Sequence, residues 1–276
     1  MNFIKRHPVI AYFVLTFAIS WGGVLFAVGP SGIQGIIDLN LGMNSPLFMS
    51  VVLLTLSGPI VAGILTTIFV YGKKGLHDIV SRLFKWRVAS KWYAVAILTP
   101  PLSVFGTLFA LSLFSPAFTP GILTTEGRVS LVSLAVMVGL IGAIFEETGW
   151  TGFAIPQLRK RYSIFATGLL VGILWGAWHF LSNLLGASVS AGTLPLTLFM
   201  PVILFSFLPP FRVLMVWVYD NTKSLLLAII MHSSLIMFWL IATPTGITGT
   251  NLATWYIAWA VVLWIIVGII VKKKMK

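Results

Sequence analysis

Eight apolar stretches of about twenty residues each, 9–28, 48–71, 92–115, 129–153, 163–184, 196–219, 224–243 and 253–271, make up most of this 276-residue chain. A helix of that length matches the hydrocarbon thickness of a bilayer. The sequence therefore predicts an all-α, polytopic membrane protein of about eight transmembrane helices. Composition agrees: 58% of the residues are hydrophobic and 9% charged, where an ordinary soluble domain carries about a quarter charged residues. No internal repeat, low-complexity tract or soluble module interrupts the pattern, so 1–276 reads as one integral membrane domain.

A formal net charge of +12 would suit nucleic acid if the basic residues shared a soluble face. They flank the apolar spans instead. With the N-terminus inside, the inner segments hold Lys5 and Arg6; Lys73, Lys74, Arg82, Lys85, Arg87 and Lys91; Arg159, Lys160 and Arg161; Lys223; and Lys272, Lys273, Lys274 and Lys276. Arg128 alone falls clearly outside, and Arg212, inside the sixth span, is expected to snorkel to its inner end. The distribution places both termini in the cytoplasm and assigns the basic excess to topology and to anionic membrane lipids, with no nucleic-acid partner. A multi-pass protein of a bacterial plasma membrane is the expected setting.

Several segments carry structure without chemistry. The first apolar run is too long for a signal peptide and lacks a small-x-small cleavage site, so it reads as a retained helix. Residues 29–46, with Asp38 as their sole charge, read as an outer loop. Gly58, Pro59 and Gly63 permit a kink and close packing in the second helix. Residues 72–91 set Leu76, Ile79, Leu83 and Trp86 at helical spacing against charged residues, which predicts an amphipathic helix on the membrane surface with His77 on its solvated face. Pro195, Pro201, Pro209 and Pro210 should break or kink the sixth span.

Chemistry is confined to the few ionisable groups left in the apolar zone: Glu146, Glu147, His179 and His232. A carboxylate at the bilayer centre costs about 2.5–3.5 kcal/mol on insertion scales, so two in succession call for a function or for partners. The segment Ile144–Asn183 reads as a helical hairpin turning near Tyr162, past the basic triplet Arg159–Arg161. Glu146 lies sixteen residues before that turn and His179 seventeen after it, so antiparallel packing brings an acid and an imidazole to one depth. Neighbouring helical residues point about 100° apart, so one glutamate addresses His179 and the other takes a supporting role. A buried Glu beside a His is equipped to act as a general base on water. The string Trp175, Trp178, Phe180 reads first as core or interface belt.

The run EETGWTGFAIPQLRKRYSIFATGLLVGILWGAWHF resembles the first two motifs of the CAAX protease and bacteriocin-processing (Abi) family of intramembrane proteases. WVYDNTKSLLLAIIMHSSL is similar to that family's third motif region, and the likeness extends over about 50–240. The resemblance implies a prenyl-protease-like fold of eight helices and peptide-bond hydrolysis in the membrane, on a peptide or a prenylated, CAAX-like protein substrate. It also implies that Glu146 and His179 polarise water while His232 and a polar partner stabilise the oxyanion. Thr151 stands where the Glu-Glu-x-x-x-Arg motif has Arg, Trp175 and His179 match the aromatic-x-x-x-His motif, and Ile236 replaces the polar residue of His-x-x-x-Asn. With no Arg at i+4, Glu147 is expected to be neutral, paired only with a hydroxyl.

Those departures support an alternative, a catalytically impaired relative acting as an immunity or adaptor protein for a peptide or bacteriocin. A proton-coupled transporter is weaker, since no inverted pair of broken helices is evident. The chain has no cysteine, which excludes disulfides and thiolate ligands. Glu146, Glu147, His179 and His232 offer the N and O ligands that zinc accepts, and a metal-free mechanism is equally compatible.

Overall fold

A computed structural model describes residues 2–29, 32, 36–37 and 45–274. Most of the segment expected as an outer loop, Asp38 included, and Lys276 lie outside the described residues. Among the described residues nine principal helices form the bundle: α1 Pro8–Val28, α2 Pro46–Leu83, α3 Ser90–Ser112, α4 Arg128–Gly149, α5 Ile164–Trp178, α6 Leu196–Phe205, α7 Leu208–Thr222, α8 Leu225–Ala242 and α9 Gly249–Lys274. Among the described residues seven helical segments are long and apolar enough to cross a membrane, α6 and α7 together making one of them. The fifth expected span is the exception. Its helix α5 has 15 residues, about 22 Å at 1.5 Å per residue, because the chain breaks at His179 and resumes as the short helix Phe180–Leu184.

Local sequence explains where helices begin. Ser45, Ser163 and Ser224 each accept a hydrogen bond from the amide three residues on, at 3.0, 3.1 and 3.2 Å, which caps α2, α5 and α8. Proline occupies the first turn of α1, α2 and α7, where no backbone donor is lost. The proline-rich stretch does break the sixth span. Helix α6 ends at Phe205 and α7 starts at Leu208, with Pro209 and Pro210 in its first turn.

Helix α2 is 38 residues long, far more than a bilayer requires, and it kinks at Gly72, whose φ of 61° suits glycine. Beyond the kink, Ile79 is buried while His77 and Asp78 are exposed, as an amphipathic surface helix requires. That helix ends at Leu83 rather than Lys91. Trp86 belongs to the turn after it, 60% exposed, with the Arg87 guanidinium 5.0 Å from its ring. Asp78 pairs with Arg82 at 2.8 Å, and Arg82 reaches on to donate to the carbonyls of Thr151 and Gly152 at 3.3 and 2.7 Å. Those carbonyls lie in a π-helical turn, Trp150–Ala154, that follows α4 directly. Arg82 thus ties the surface helix to the chain just past the two glutamates.

Helix α7 is the centre of the bundle, buried at every residue from Leu208 to Tyr219. It packs on α5, while α2 packs on α1 and α4, and α8 on α3 and α4. Small residues set the closest crossings. A Cβ at Gly63 would lie 2.8 Å from the Gly149 Cα, and one at Gly149 would collide with the Pro59 carbonyl and the Tyr12 hydroxyl. Gly149→Val is accordingly expected to lower stability by about 1–3 kcal/mol, the usual cost of overpacking, read as an earlier thermal unfolding in detergent.

Candidate active site in the membrane

Helices α4, α5 and α8 carry the four singled-out residues into one place. Glu146 and Glu147 lie near the end of α4, 3% and 0% exposed, and His232 is 1% exposed within α8. His179 follows α5, and its main-chain carbonyl accepts from the Asn183 amide at 2.9 Å, the Asn183 side chain at 3.0 Å and the Ser182 hydroxyl at 3.0 Å. These bonds fix the break that turns the imidazole inward. Glu146, His179 and His232 line a cavity of about 290 Å³, walled mostly by apolar side chains including Leu56, Leu204, Phe207, Leu235 and Trp239. Phe207 and Leu208 bring the break between α6 and α7 to its edge.

Glu146 and His179 do line one cavity, but not as a closely packed hairpin: α4 packs on α2 and α8, and α5 on α7. The two glutamates take different partners, as the 100° rule requires. Glu146 Oε2 accepts the indole N–H of Trp175 at 2.6 Å. Glu147 turns away from the cavity. It accepts from Arg212 Nη1 at 2.7 Å and from His232 Nδ1 at 2.8 Å, both on Oε1, and the Thr151 hydroxyl donates to its Oε2. The His179 ring has no hydrogen-bond partner among the described residues and lies between Trp175 and Trp178, with ring centroids 5.7 and 4.6 Å away.

Two expectations need correction. Arg212 does not snorkel: it is 0% exposed and ion-paired with Glu147. A guanidinium starting at the fifth residue of α7, with packed helices on all sides, has a carboxylate within reach and no route to water. Glu147, in turn, is not left with a hydroxyl alone, since a charged partner arrives from a helix 65 residues away. Trp175 is buried in the core, as read, and is also the common wall of the site: it holds Glu146, its face lies 4.0 Å from the Arg212 guanidinium carbon, and His232 meets it edge-on at 5.1 Å. Phe180, by contrast, is 38% exposed.

As placed, these side chains do not suit a metal. Among the described residues no three His, Cys, Asp or Glu side chains converge as a cation would require. Glu147 has both oxygens engaged, one of them by a guanidinium.

The family model for Rce1-like type II CAAX prenyl endopeptidases matches residues 128–238, from the start of α4 into α8. The protein described as CAAX prenyl protease 2 of Methanococcus maripaludis is 28% identical over 238 residues, which span 83% of this chain and 82% of that one. The matched segment contains Glu146, Glu147, Trp175, His179, Arg212 and His232, and the pairwise match extends over most of both chains. This multi-span membrane protein is thus similar, over the segment that carries its buried ionisable groups, to the Rce1-like type II CAAX prenyl endopeptidases.

Proposed function

We propose that the chain is an intramembrane endopeptidase that hydrolyses a peptide bond near the lipid-modified C-terminus of a protein substrate. The observation that carries this reading is that Glu146, whose second carboxylate oxygen has no hydrogen-bond partner among the described residues, and His179 line the wall of one apolar, membrane-embedded cavity. Glu146 takes a proton from water, His179 orients that water, and its oxygen attacks the scissile carbonyl carbon. His232 is the group suited to the developing oxyanion, since Glu147 holds its Nδ1 and the Nε2 edge has no hydrogen-bond partner among the described residues. Donation to the oxyanion runs through an Nε2–H, with the Glu147 carboxylate holding the opposite edge of the ring. The C–N bond then breaks, and the amine leaves with the proton that Glu146 took up.

The apolar walls suit a prenyl chain, and the break between α6 and α7 is the side from which such a chain would enter from the bilayer. The matched family and the matched relative are both described as proteases, so an immunity or adaptor role has no comparable support. The metal-free route is the one these side chains favour. A quenched, farnesylated CAAX peptide offered to the protein in nanodiscs, beside its unprenylated twin and a chelator-treated sample, tests the reading. Cleavage of the prenylated peptide that survives chelation is expected; no cleavage of either peptide by folded protein overturns it.

Ile236 sits in the cavity wall where a further donor would help, and it offers none. Ile236→Asn is expected to raise kcat on that peptide, toward the ~10²–10³-fold that one oxyanion donor contributes.

A further inference from the structure

We infer that Arg212 is a positioning residue for this reaction, delivering from α7 the guanidinium that Thr151, one turn beyond Glu147 on its own helix, does not supply. The inference rests on the proposed hydrolysis and adds to it a residue that touches neither water nor substrate.

The geometry gives one guanidinium a hold on both carboxylates. Nη1 donates to Glu147 Oε1 at 2.7 Å, the same oxygen that takes His232 Nδ1 at 2.8 Å. Arg212 therefore sets the position of the acceptor that orients His232. Its planar face lies on Trp175 with the guanidinium carbon 4.0 Å from the ring centroid, a stacking that Arg performs well and Lys poorly. The same indole holds Glu146 at 2.6 Å. Displacing Arg212 thus loosens Glu147 and His232 directly and Glu146 through the ring it lies against.

Packing fixes where this side chain begins. A Cβ at Gly172 would lie 2.6 Å from the Pro209 Cα and 3.2 Å from the Arg212 Cβ, so α5 and α7 meet closely at that level. Stability does not explain the choice of residue. Nε and Nη2 of Arg212 are buried without a partner among the described residues, and a buried ion pair left partly unsatisfied is often no more stable than an apolar replacement. What the arginine contributes is the arrangement it imposes.

The test uses full-length protein in nanodiscs and the farnesylated CAAX peptide. Arg212→Met, similar in length and apolar, is expected to lower kcat on the order of 10–100-fold, a usual cost of losing an orienting partner, with KM unchanged. Thr151→Arg added to Arg212→Met is expected to recover much of that loss, because the Thr151 side chain already reaches Glu147. Wild-type kcat in Arg212→Met, or a rise in KM alone, overturns the inference. If Arg212→Met does not fold, Arg212→Lys keeps the buried charge pair but cannot stack, and wild-type kcat in that variant overturns it equally. A readout that needs no turnover separates this inference from the reading beneath it: the ring nitrogen NMR signals of ¹⁵N-labelled His232. They are expected to shift in the Arg212 variant while those of His77, on the exposed surface helix, stay in place. If the wild type cleaves nothing, the proposed function fails, and the His232 signals still decide whether Arg212 positions that ring.

Discussion

Replacing Glu146 with glutamine is expected to cut hydrolysis of the farnesylated peptide by ~10²–10⁴-fold, the contribution of a positioned general base, while the protein stays inserted and folded. The two glutamates make different predictions because their surroundings differ. Among the described residues Glu146 has no ion pair to lose, and its one hydrogen-bond partner is the Trp175 indole N–H on Oε2. A glutamine carbonyl accepts that bond equally well, so the side chain stays in place and only its capacity to take a proton is lost. The measurement is kcat/KM on the peptide beside a thermal unfolding curve in detergent. A large loss of rate with an unchanged curve fits a base. Retention of wild-type rate removes Glu146 from the mechanism, and a collapse of the unfolding curve assigns it to structure.

The sequence carried the frame of this site because its signals are local or periodic. The apolar runs set the helices, and the near-equal distances of Glu146 and His179 from the turn before α5 put them at the depth of one cavity, although α4 and α5 pack on other helices and not on each other. Arg212 was harder to place, since its partner lies 65 residues away and nothing in its neighbourhood, Pro209-Pro210-Phe211-Arg212-Val213, says which helix it faces. One signal was available. An arginine inside an apolar span needs an acid at its own depth, and the Glu146–Glu147 pair is the only acidic group within the apolar spans. The missing arginine at 151 and the surplus arginine at 212 were two halves of one observation. Trp175 escaped for a related reason: an indole in an apolar helix looks the same in sequence whether it faces lipid or a carboxylate. The early end of the surface helix reflects chain chemistry that periodicity does not capture, with Trp86 and Arg87 stacking on each other in solvent instead of continuing the buried face.

Glu147→Leu is expected to damage the protein far more than Glu146→Gln, costing about 3–5 kcal/mol of stability, as removal of one partner from a buried ion pair does. The variant leaves Arg212 fully buried with no carboxylate and His232 with no acceptor for Nδ1. It also strips Thr151 of the oxygen its hydroxyl meets. The distinguishing experiment is a double-mutant cycle read by thermal unfolding in one detergent. Glu147→Leu combined with Arg212→Met removes both charges and fills the space with apolar groups, so it is expected to unfold later than Glu147→Leu alone. Cleavage should not return with the stability, because His232 still lacks the partner that orients it. If the double variant is no more stable than Glu147→Leu, the ion pair is not what Glu147 contributes. If it regains full activity, the Glu147–His232 contact is dispensable and oxyanion stabilisation must come from elsewhere in the cavity, with Asn183 at its rim the first group to replace.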